Sequence, residues 1–423
     1  MTAKPRVLMV CHAHPGLVSG GTEVFSHNLF RALKANGRTH PMFLAGVTAL
    51  HRPEPAGSRL RVIDGAAGDE CLLWVGGFDR LMLAPTDAAP FVSAFSQLLL
   101  TFRPDIVHLH HFSLIGLEAL AVIRRQLPNA GIVATLHDYH PICANDGLML
   151  TTDTAALCRG ASADACHACF PAIAAERFAA RALHIRTMLD LVDRFIAPSR
   201  TLYDRFVAWG LPSDRIEMIG NAVADAERQP ASDDDRSRTT FGYFGNITPH
   251  KGVLLVLDAV DALAADGEAA TLQLYGRLQF PTASFREAFT DAVARTDAAC
   301  WHGAYDQADL PGLMRRVDWV VVPSTWWENA PLVILEAFRH GRPVICADVG
   351  GMAELVRHDV DGLHFRCGDA ADLARTMRRA VREPGLWQRL ASQVPPVRTL
   401  PEAAADHVAL YRSLLRRRSA RCA

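Results

Sequence analysis

The chain has 423 residues, with 44 Lys and Arg against 45 Asp and Glu, and a formal net charge of −1. That length exceeds one ordinary hydrophobic core and predicts two domains, while the balanced charge excludes a global pull toward nucleic acid or an anionic membrane. Half of the residues are hydrophobic and 21% charged, as in a globular α/β protein, and no run nears the roughly 18 apolar residues of a membrane span.

The opening MTAKPRVLMVCHAHPG has too short an apolar core for a secretion signal, so a soluble cytoplasmic protein is expected. RVLMVC, from Arg6, reads as a first buried strand. The loop Pro15 to Glu23 joins it to a helix from about Thr22 to Ala35. Gly20 and Gly21 in that loop remove side chains where a backbone can approach phosphate or sugar closely. A nicotinamide-type G-x-G-x-x-G is absent. HPMFLAG, CLLWV, DIVHLHH, GIVATLHD and RFIAPS follow as strands, with a helix around Pro90 to Phe102 between two of them. Such alternation predicts a parallel, doubly wound sheet. Residues 221–238, which include ADAERQPASDDDRSR, are polar and Asp/Ser-rich and read as a linker. TTFGYFG, a helix from about Lys251, LQLYG, CWHG and DWVVVPS then restart the alternation. A last helix, from about Pro401 to Arg418, follows a Pro-containing bend. The expected division is residues 1–222, 223–398 and a terminal helix in 399–423.

The most informative run is STWWENAPLVILEAFRHGRPVICADVGG. An apolar strand ends at Pro323-Ser324, Pro331 opens a helical stretch that stops at Gly341, and PVICA is the next strand. Glu328 therefore falls at a strand-to-helix turn and Glu336 in the first turns of the helix. The carboxyl edge of an open parallel sheet is where ligands bind, and a helix N-terminus suits a diphosphate. Two carboxylates beside an anion site fit when they accept hydrogen bonds from sugar hydroxyls. A ligand with hydroxyls on both sides of a diphosphate is a nucleotide sugar.

This run resembles the donor-site signature of family-4 retaining glycosyltransferases. The resemblance implies an α/β GT-B fold: two Rossmann-like domains facing an interdomain cleft, an acceptor domain first and a donor domain second, with a terminal helix crossing back to the first. It implies that Glu328 contacts the donor hexose and Glu336 the ribose, and that Asn329, Ala330, Pro331 and Leu332 lead the helix start toward the diphosphate. Within GNITPHKG, Lys251 matches the family's diphosphate-binding lysine, whereas Asn246 stands where the family usually has arginine. Arg277, after LQLYG, is a candidate substitute cation. Gly20 and Gly21 resemble the family's glycine loop, and His137 a histidine near the transferred sugar. Gly350-Gly351 with Glu354 resembles supporting architecture, and Asn221-Ala222-Val223 departs at Ala222 from Asn-Gly-Val.

His137 and Asp138 end one strand, and His108, His110 and His111 another. Successive side chains alternate, so His108 and His110 share a face. His108 and His110 could form a metal pair, but no matching carboxylate signature stands beside His108, His110 and His111, so a structural or acceptor-lining role is favoured for these three; His110 and Asp138 are the acceptor-side candidates. His12 and His14 are ambiguous. Cys143, Cys158, Cys166 and Cys169 gather in one loop-rich stretch ending in C-H-A-C. A two-residue gap is the usual zinc-knuckle spacing, and a structural zinc site and unligated thiols both stay open. With HDYHPICANDGLML, this stretch resembles bacterial polysaccharide-biosynthesis glycosyltransferases.

The activity implied is retaining, metal-independent transfer of a hexose-type sugar from a nucleotide diphosphate sugar to a hydroxyl acceptor, with no catalytic cofactor. A nucleotide-sugar epimerase and a non-catalytic nucleotide-sugar or glycan-binding protein are the alternatives. No nucleic-acid partner is expected; the basic tail LLRRRSARCA allows at most a weak peripheral membrane contact.

Overall fold

The computed structural model describes residues 4–18, 20–55, 58–63, 67–224, 237–279 and 281–422. The chain divides into two compact units, Met1–Asn221 with Arg398–Ala423, and Ala222–Val397.

The first unit contains strands β1 (Arg6–Cys11), β2 (His40–Val47), β3 (Leu60–Val62), β4 (Glu70–Trp74), β5 (Phe78–Asp79) and β6 (Ala84–Pro85). It continues with β7 (Ile106–Leu109), β8 (Gly131–Thr135), β9 (Arg194–Ala197) and β10 (Ile216–Met218). Its helices are α1 (Gly21–Asn36), α2 (Ala88–Phe102), α3 (Glu118–Gln126), α4 (Ala163–Cys169), α5 (Ala175–Leu189) and α6 (Arg200–Trp209). Eight strands form one sheet in the order β10-β9-β8-β7-β1-β2-β4-β3, parallel except for the edge strand β3. Val7 to Cys11 and Ile132 to Ala134 are fully buried. They read as unbroken apolar runs because helices cover both faces of a parallel sheet.

The second unit has strands β11 (Thr240–Phe244), β12 (Thr271–Tyr275), β13 (Ala299–Trp301), β14 (Trp319–Val322), β15 (Val344–Ala347) and β16 (Gly362–Phe365). Its helices are α7 (Val253–Ala265), α8 (Ala283–Arg295), α9 (Leu310–Met314), α10 (Leu332–Arg339), α11 (Gly350–Leu355), α12 (Ala370–Arg382) and α13 (Leu386–Gln393). Its sheet runs β13-β12-β11-β14-β15-β16, all parallel. Counted from its own first strand this is the Rossmann order 3-2-1-4-5-6, whose ligand crevice lies where the order reverses. That reversal falls between β11 and β14 here, and between β1 and β7 in the first unit.

The last helix, α14 (Leu400–Cys422), packs on α1 and β8 within the first unit. The Tyr411 hydroxyl lies 2.7 Å from His108 Nδ1. Arg418 donates to Asp193 at 2.7 Å and to the Pro128 carbonyl at 2.8 Å, so this residue of the basic tail is engaged in packing. No helix among the described residues is long and apolar enough to cross a membrane.

Three local expectations are corrected. The strands expected through His111 and Asp138 stop at Leu109 and Thr135, which frees the histidines and the aspartate to turn toward one another. The helix expected from Lys251 starts at Val253. Lys251 instead closes a 3₁₀ turn, and Gly252 is left-handed at φ 70° with its Cα packed where a Cβ would meet the Pro323 carbonyl at 1.9 Å. The expected linker is anchored at both ends: Asn221, Ala222 and Val223 are buried, and Arg238 pairs with Asp318 at 3.5 Å and lies over the Trp387 ring. Residues 225–236 of that stretch lie outside the described residues. The short strands β3 and β10 gave no readable pattern, because three residues carry neither a period nor punctuation.

Candidate functional site

At the reversal of the second sheet, the loop after β11 brings Lys251 and the loop after β14 brings Glu328. Lys251 Nζ lies 2.5 Å from Glu328 Oε1, and the same oxygen accepts from Ser324 Oγ at 2.7 Å and Trp326 Nε1 at 2.9 Å. Glu328 is 5% exposed. Burial pushes its carboxyl up, but the Lys251 charge and the Ser324 and Trp326 donors outweigh that and hold it below its usual range. Trp326 also faces Lys251, with Nζ 5.4 Å from the ring centroid. His250 beside them is lowered to about 4 by burial and the Lys251 charge, and so is neutral near pH 7. Ser324 and Trp326 are the partners that sequence reasoning missed; their place inside STWWE was the available signal.

The Glu328 segment is held by close backbone packing. Gly351 N–H donates to the Glu328 carbonyl at 2.7 Å, and a Cβ on Gly351 would sit 1.4 Å from the Asn329 carbonyl oxygen. Asn329 and Ala330 are buried, Pro331 caps α10, and Leu332 is its first residue. Glu336 lies one turn in and is half-buried. Burial raises its carboxyl to about 7, which a hydrogen bond with Gln307 offsets only in part. Asn246 follows Gly245, and its carbonyl accepts from the Tyr243 hydroxyl at 2.8 Å. Arg277 is exposed, and its carbonyl accepts from Ile247 N–H at 2.8 Å, so the backbone places it beside the Asn246 turn.

Because the folded Glu336 carboxyl titrates near 7 and an unfolded one near 4.3, the folded state binds the extra proton between these values. Its stabilising contribution is full below about pH 4 and is lost as pH rises through about 7. Glu336→Gln is therefore expected to be more stable than the wild type above pH 7, by up to about 3 kcal/mol, with the gain vanishing at acid pH. Urea midpoints of both proteins across that range measure it.

The first unit gathers histidines at its own reversal point. His110 Nδ1 lies 3.0 Å from His137 Nε2, and the His108 and His110 rings stand 4.2 Å apart. His108 is also bonded to the Thr135 hydroxyl at 2.7 Å, which makes it a structural residue. His111 Nε2 bonds Asp138, the carboxylate partner that the sequence did not reveal, and Asp138 also accepts His140 N–H at 2.8 Å. His12 pairs with Glu23 at 2.9 Å; burial lowers His12, but Glu23 outweighs it and keeps the ring protonated. Gly20 caps α1, and a Cβ there would meet the Glu23 carboxylate at 2.6 Å; Gly21 faces open space.

Two sets bring three ligand-type atoms within 4.8 Å of one another: His14, His27 and Glu70, and His111, Asp138 and His140. In the first, Gly16 N–H donates to His14 Nδ1 at 3.1 Å; in the second, Ser113 N–H donates to His111 Nδ1 at 2.8 Å. In each set one carboxylate is met by two imidazoles: Glu70 by His14 and His27, and Asp138 by His111 and His140.

Burial drives His137 to about 3 and His111 and His407 to about 4, and lowers His108 and His110 well below the usual range. His137 is thus a neutral hydrogen-bonding group near pH 7. The unfolded chain takes up protons from about pH 6.5 while these rings refuse them, so stability falls as pH drops below about 6.5. Urea unfolding midpoints are expected to drop by a large fraction between about pH 7.5 and pH 5. An unchanged midpoint would mean that the rings are already charged.

Cys143, Cys158, Cys166 and Cys169 are free, half-buried thiols that line a single cavity of about 20 Å³.

Known proteins resemble this chain in sequence and architecture. The family described as Glycosyltransferase Family 4 matches residues 19–227, and the one described as Glycosyl transferases group 1 matches residues 238–383. A D-inositol 3-phosphate glycosyltransferase of Salinispora arenicola is 31% identical over 50% of this chain and 52% of its own length. The chain thus spans about half the length of that relative. A glycogen synthase of Mycobacterium tuberculosis is 27% identical over 91% of this chain and 88% of its own. Among solved structures, a sucrose-phosphate synthase from Thermosynechococcus elongatus superposes with a TM-score of 0.72 at 19% identity, covering 97% of this chain and 99% of that one. Anabaena HepE in complex with UDP-glucose gives 0.61 at 19% identity, with 98% of both chains covered. The paired matches to consecutive halves of the sequence, on two Rossmann-type sheets, place this chain in the family-4 glycosyltransferases of GT-B fold.

Proposed function

We propose that the protein transfers a hexose-type sugar from a nucleotide diphosphate sugar to a hydroxyl acceptor, with retention at the anomeric carbon and without a catalytic metal. The observation that carries this reading is the Lys251–Glu328 pair at the strand-order reversal of the second sheet, beside the start of α10. An arriving diphosphate draws Lys251 away from Glu328 and takes the N–H groups at the start of α10. Glu328, still held by Ser324 and Trp326, then accepts hydrogen bonds from hexose hydroxyls, and Glu336 accepts them from the ribose. Asn246 supplies a neutral amide where the family usually has a cation, and Arg277 is the nearby residue that restores positive charge. The binding of UDP-glucose by Anabaena HepE supports a nucleotide-sugar donor here.

In the transfer step the acceptor oxygen bonds to the anomeric carbon as the bond to the diphosphate oxygen breaks. The electron pair stays on the diphosphate, and the acceptor proton passes to a phosphate oxygen. Lys251 and the helix end meet the charge that develops on the leaving group. His137 and Asp138, at the carboxyl edge of the first sheet, are the polar groups assigned to the sugar and its acceptor. His110 holds the His137 ring, and His111 holds Asp138. Acceptors compatible with this chemistry are glycans, lipid-linked sugars and small polyols.

The test is the configuration of the first product. With an α-linked donor, proton NMR is expected to show an α-linked product before any mutarotation. A β-linked first product would overturn retention, and turnover of the donor to an epimer without acceptor would overturn transfer.

A further inference from the structure

The stretch between β8 and α5 carries four cysteines that neither edge uses. Cys143 lies in the turns after β8, and Cys158 directly follows the bridge between Leu150 and Leu157. Cys166 and Cys169 are three residues apart on α4 and share one face. All four reach the same cavity, whose volume of about 20 Å³ is above the roughly 10–15 Å³ that one water needs. That volume admits one water-sized species, and four converging sulfurs are the ligands a single soft metal ion takes.

Charge points the same way. Arg181 is 3% exposed, and its guanidinium donates to the carbonyls of Leu81, His140, Pro141 and Ile142. Among the described residues no carboxylate pairs with it, and burial lowers it to about 10 against the pull of Cys143 and Cys166. A buried cation calls for a nearby anion. Neutral thiols supply none, whereas a tetrathiolate metal centre carries two negative charges.

We propose that Cys143, Cys158, Cys166 and Cys169 bind one structural zinc ion, which fixes the loop between β8 and α5. No three of the sulfurs stand within 4.8 Å of one another. Zinc–sulfur bonds of about 2.3 Å at tetrahedral angles set them about 3.8 Å apart, so binding draws the loop in. The step is balanced by proton release: one zinc ion and four thiols give a tetrathiolate zinc centre of charge −2 and four protons. Cys158, whose thiol now donates to the Gly160 carbonyl at 3.2 Å, gives up that bond.

The test uses the full chain, purified under reducing conditions, reloaded with excess zinc and exhaustively desalted. Elemental analysis is expected to find about one zinc per chain, and less than about a tenth of that in Cys166→Ser/Cys169→Ser. Cobalt added to metal-free wild type is expected to give the thiolate-to-cobalt band and the visible bands of a tetrahedral site. That measurement needs no variant and so survives a variant that fails to fold. Zinc far below one per chain with no cobalt spectrum would overturn the proposal, as would recovery of the four cysteines as disulfides in protein handled without oxidant. Neither result bears on sugar transfer, because no donor-edge residue is involved.

Discussion

Replacing Lys251 by alanine is expected to lower kcat/KM for sugar transfer by about 100- to 1000-fold, the range found when one donor to a developing charge is removed. The expectation follows from position: Lys251 is the charge-bearing side chain seen against Glu328 at the sheet reversal, and the Asn246 turn beside it carries an amide instead of a second cation. A chain with an arginine at that turn would carry a second cation there; here Lys251 is the cation held against Glu328, and Arg277 is the other positive charge proposed beside the turn. Stability is expected to move less. Glu328 keeps Ser324 and Trp326 as donors, and Lys251 is partly exposed, so solvent screens the pair and the cost is about 1 kcal/mol. Steady-state kinetics and urea unfolding on the same preparation separate the two effects. A variant that lost stability heavily but transferred sugar at the wild-type rate would show Lys251 to be a structural residue.

Gly351→Ala is expected to be the most damaging methyl addition at the donor edge. The new Cβ would lie 1.4 Å from the Asn329 carbonyl oxygen and 3.1 Å from that of Glu328, and both neighbours are main chain that cannot swing aside. The loop carrying Glu328 must shift. Overpacking of this kind costs about 1–3 kcal/mol, and a shift near 1 Å at a positioning loop costs about 100-fold in rate. Thermal unfolding and donor titration are expected to fall together. Gly312→Ala, in α9 of the same unit, is the control, because its added methyl would meet only the end of the Arg315 side chain, at 3.7 Å. Equal behaviour of the two variants would contradict the packing account.

The fold was legible in the sequence wherever a strand is buried on both faces. RVLMVC, HPMFLAG, TTFGYFG and PVICA appear where their apolar runs lie, and the helix starting at Leu332 follows the Pro331 and Gly341 punctuation. What failed was local and has a physical cause. Strand ends were overrun at His110, His111 and His137, because periodicity does not say where ladder pairing gives way to side-chain bonding. The sequence pattern runs the helix through Lys251, whereas Gly252 is left-handed and packs its Cα against the carbonyl of Pro323, which is distant in sequence.

The placement of Glu328, Asn329, Leu332 and Glu336 around the start of α10 was readable because all four fall within one short run of sequence that carries a motif. The histidine edge was not, because its partners come from separate elements distant in sequence: His111 meets Asp138, His12 meets Glu23, and His14 and His27 meet Glu70. The cysteines were readable as a group by spacing, but their shared cavity and the buried Arg181 beside them needed coordinates.

The most direct test of a nucleotide-sugar site in the second unit is thermal stabilisation of wild type and Glu336→Ala by UDP, GDP, ADP and dTDP, each with and without its sugar. One base is expected to stabilise the wild type selectively, by about 2.7 kcal/mol at a hundred times its dissociation constant, and the effect is expected to vanish in the variant. Absence of stabilisation by every nucleotide, or equal stabilisation of wild type and variant, would contradict the site described at Lys251, Glu328 and Glu336.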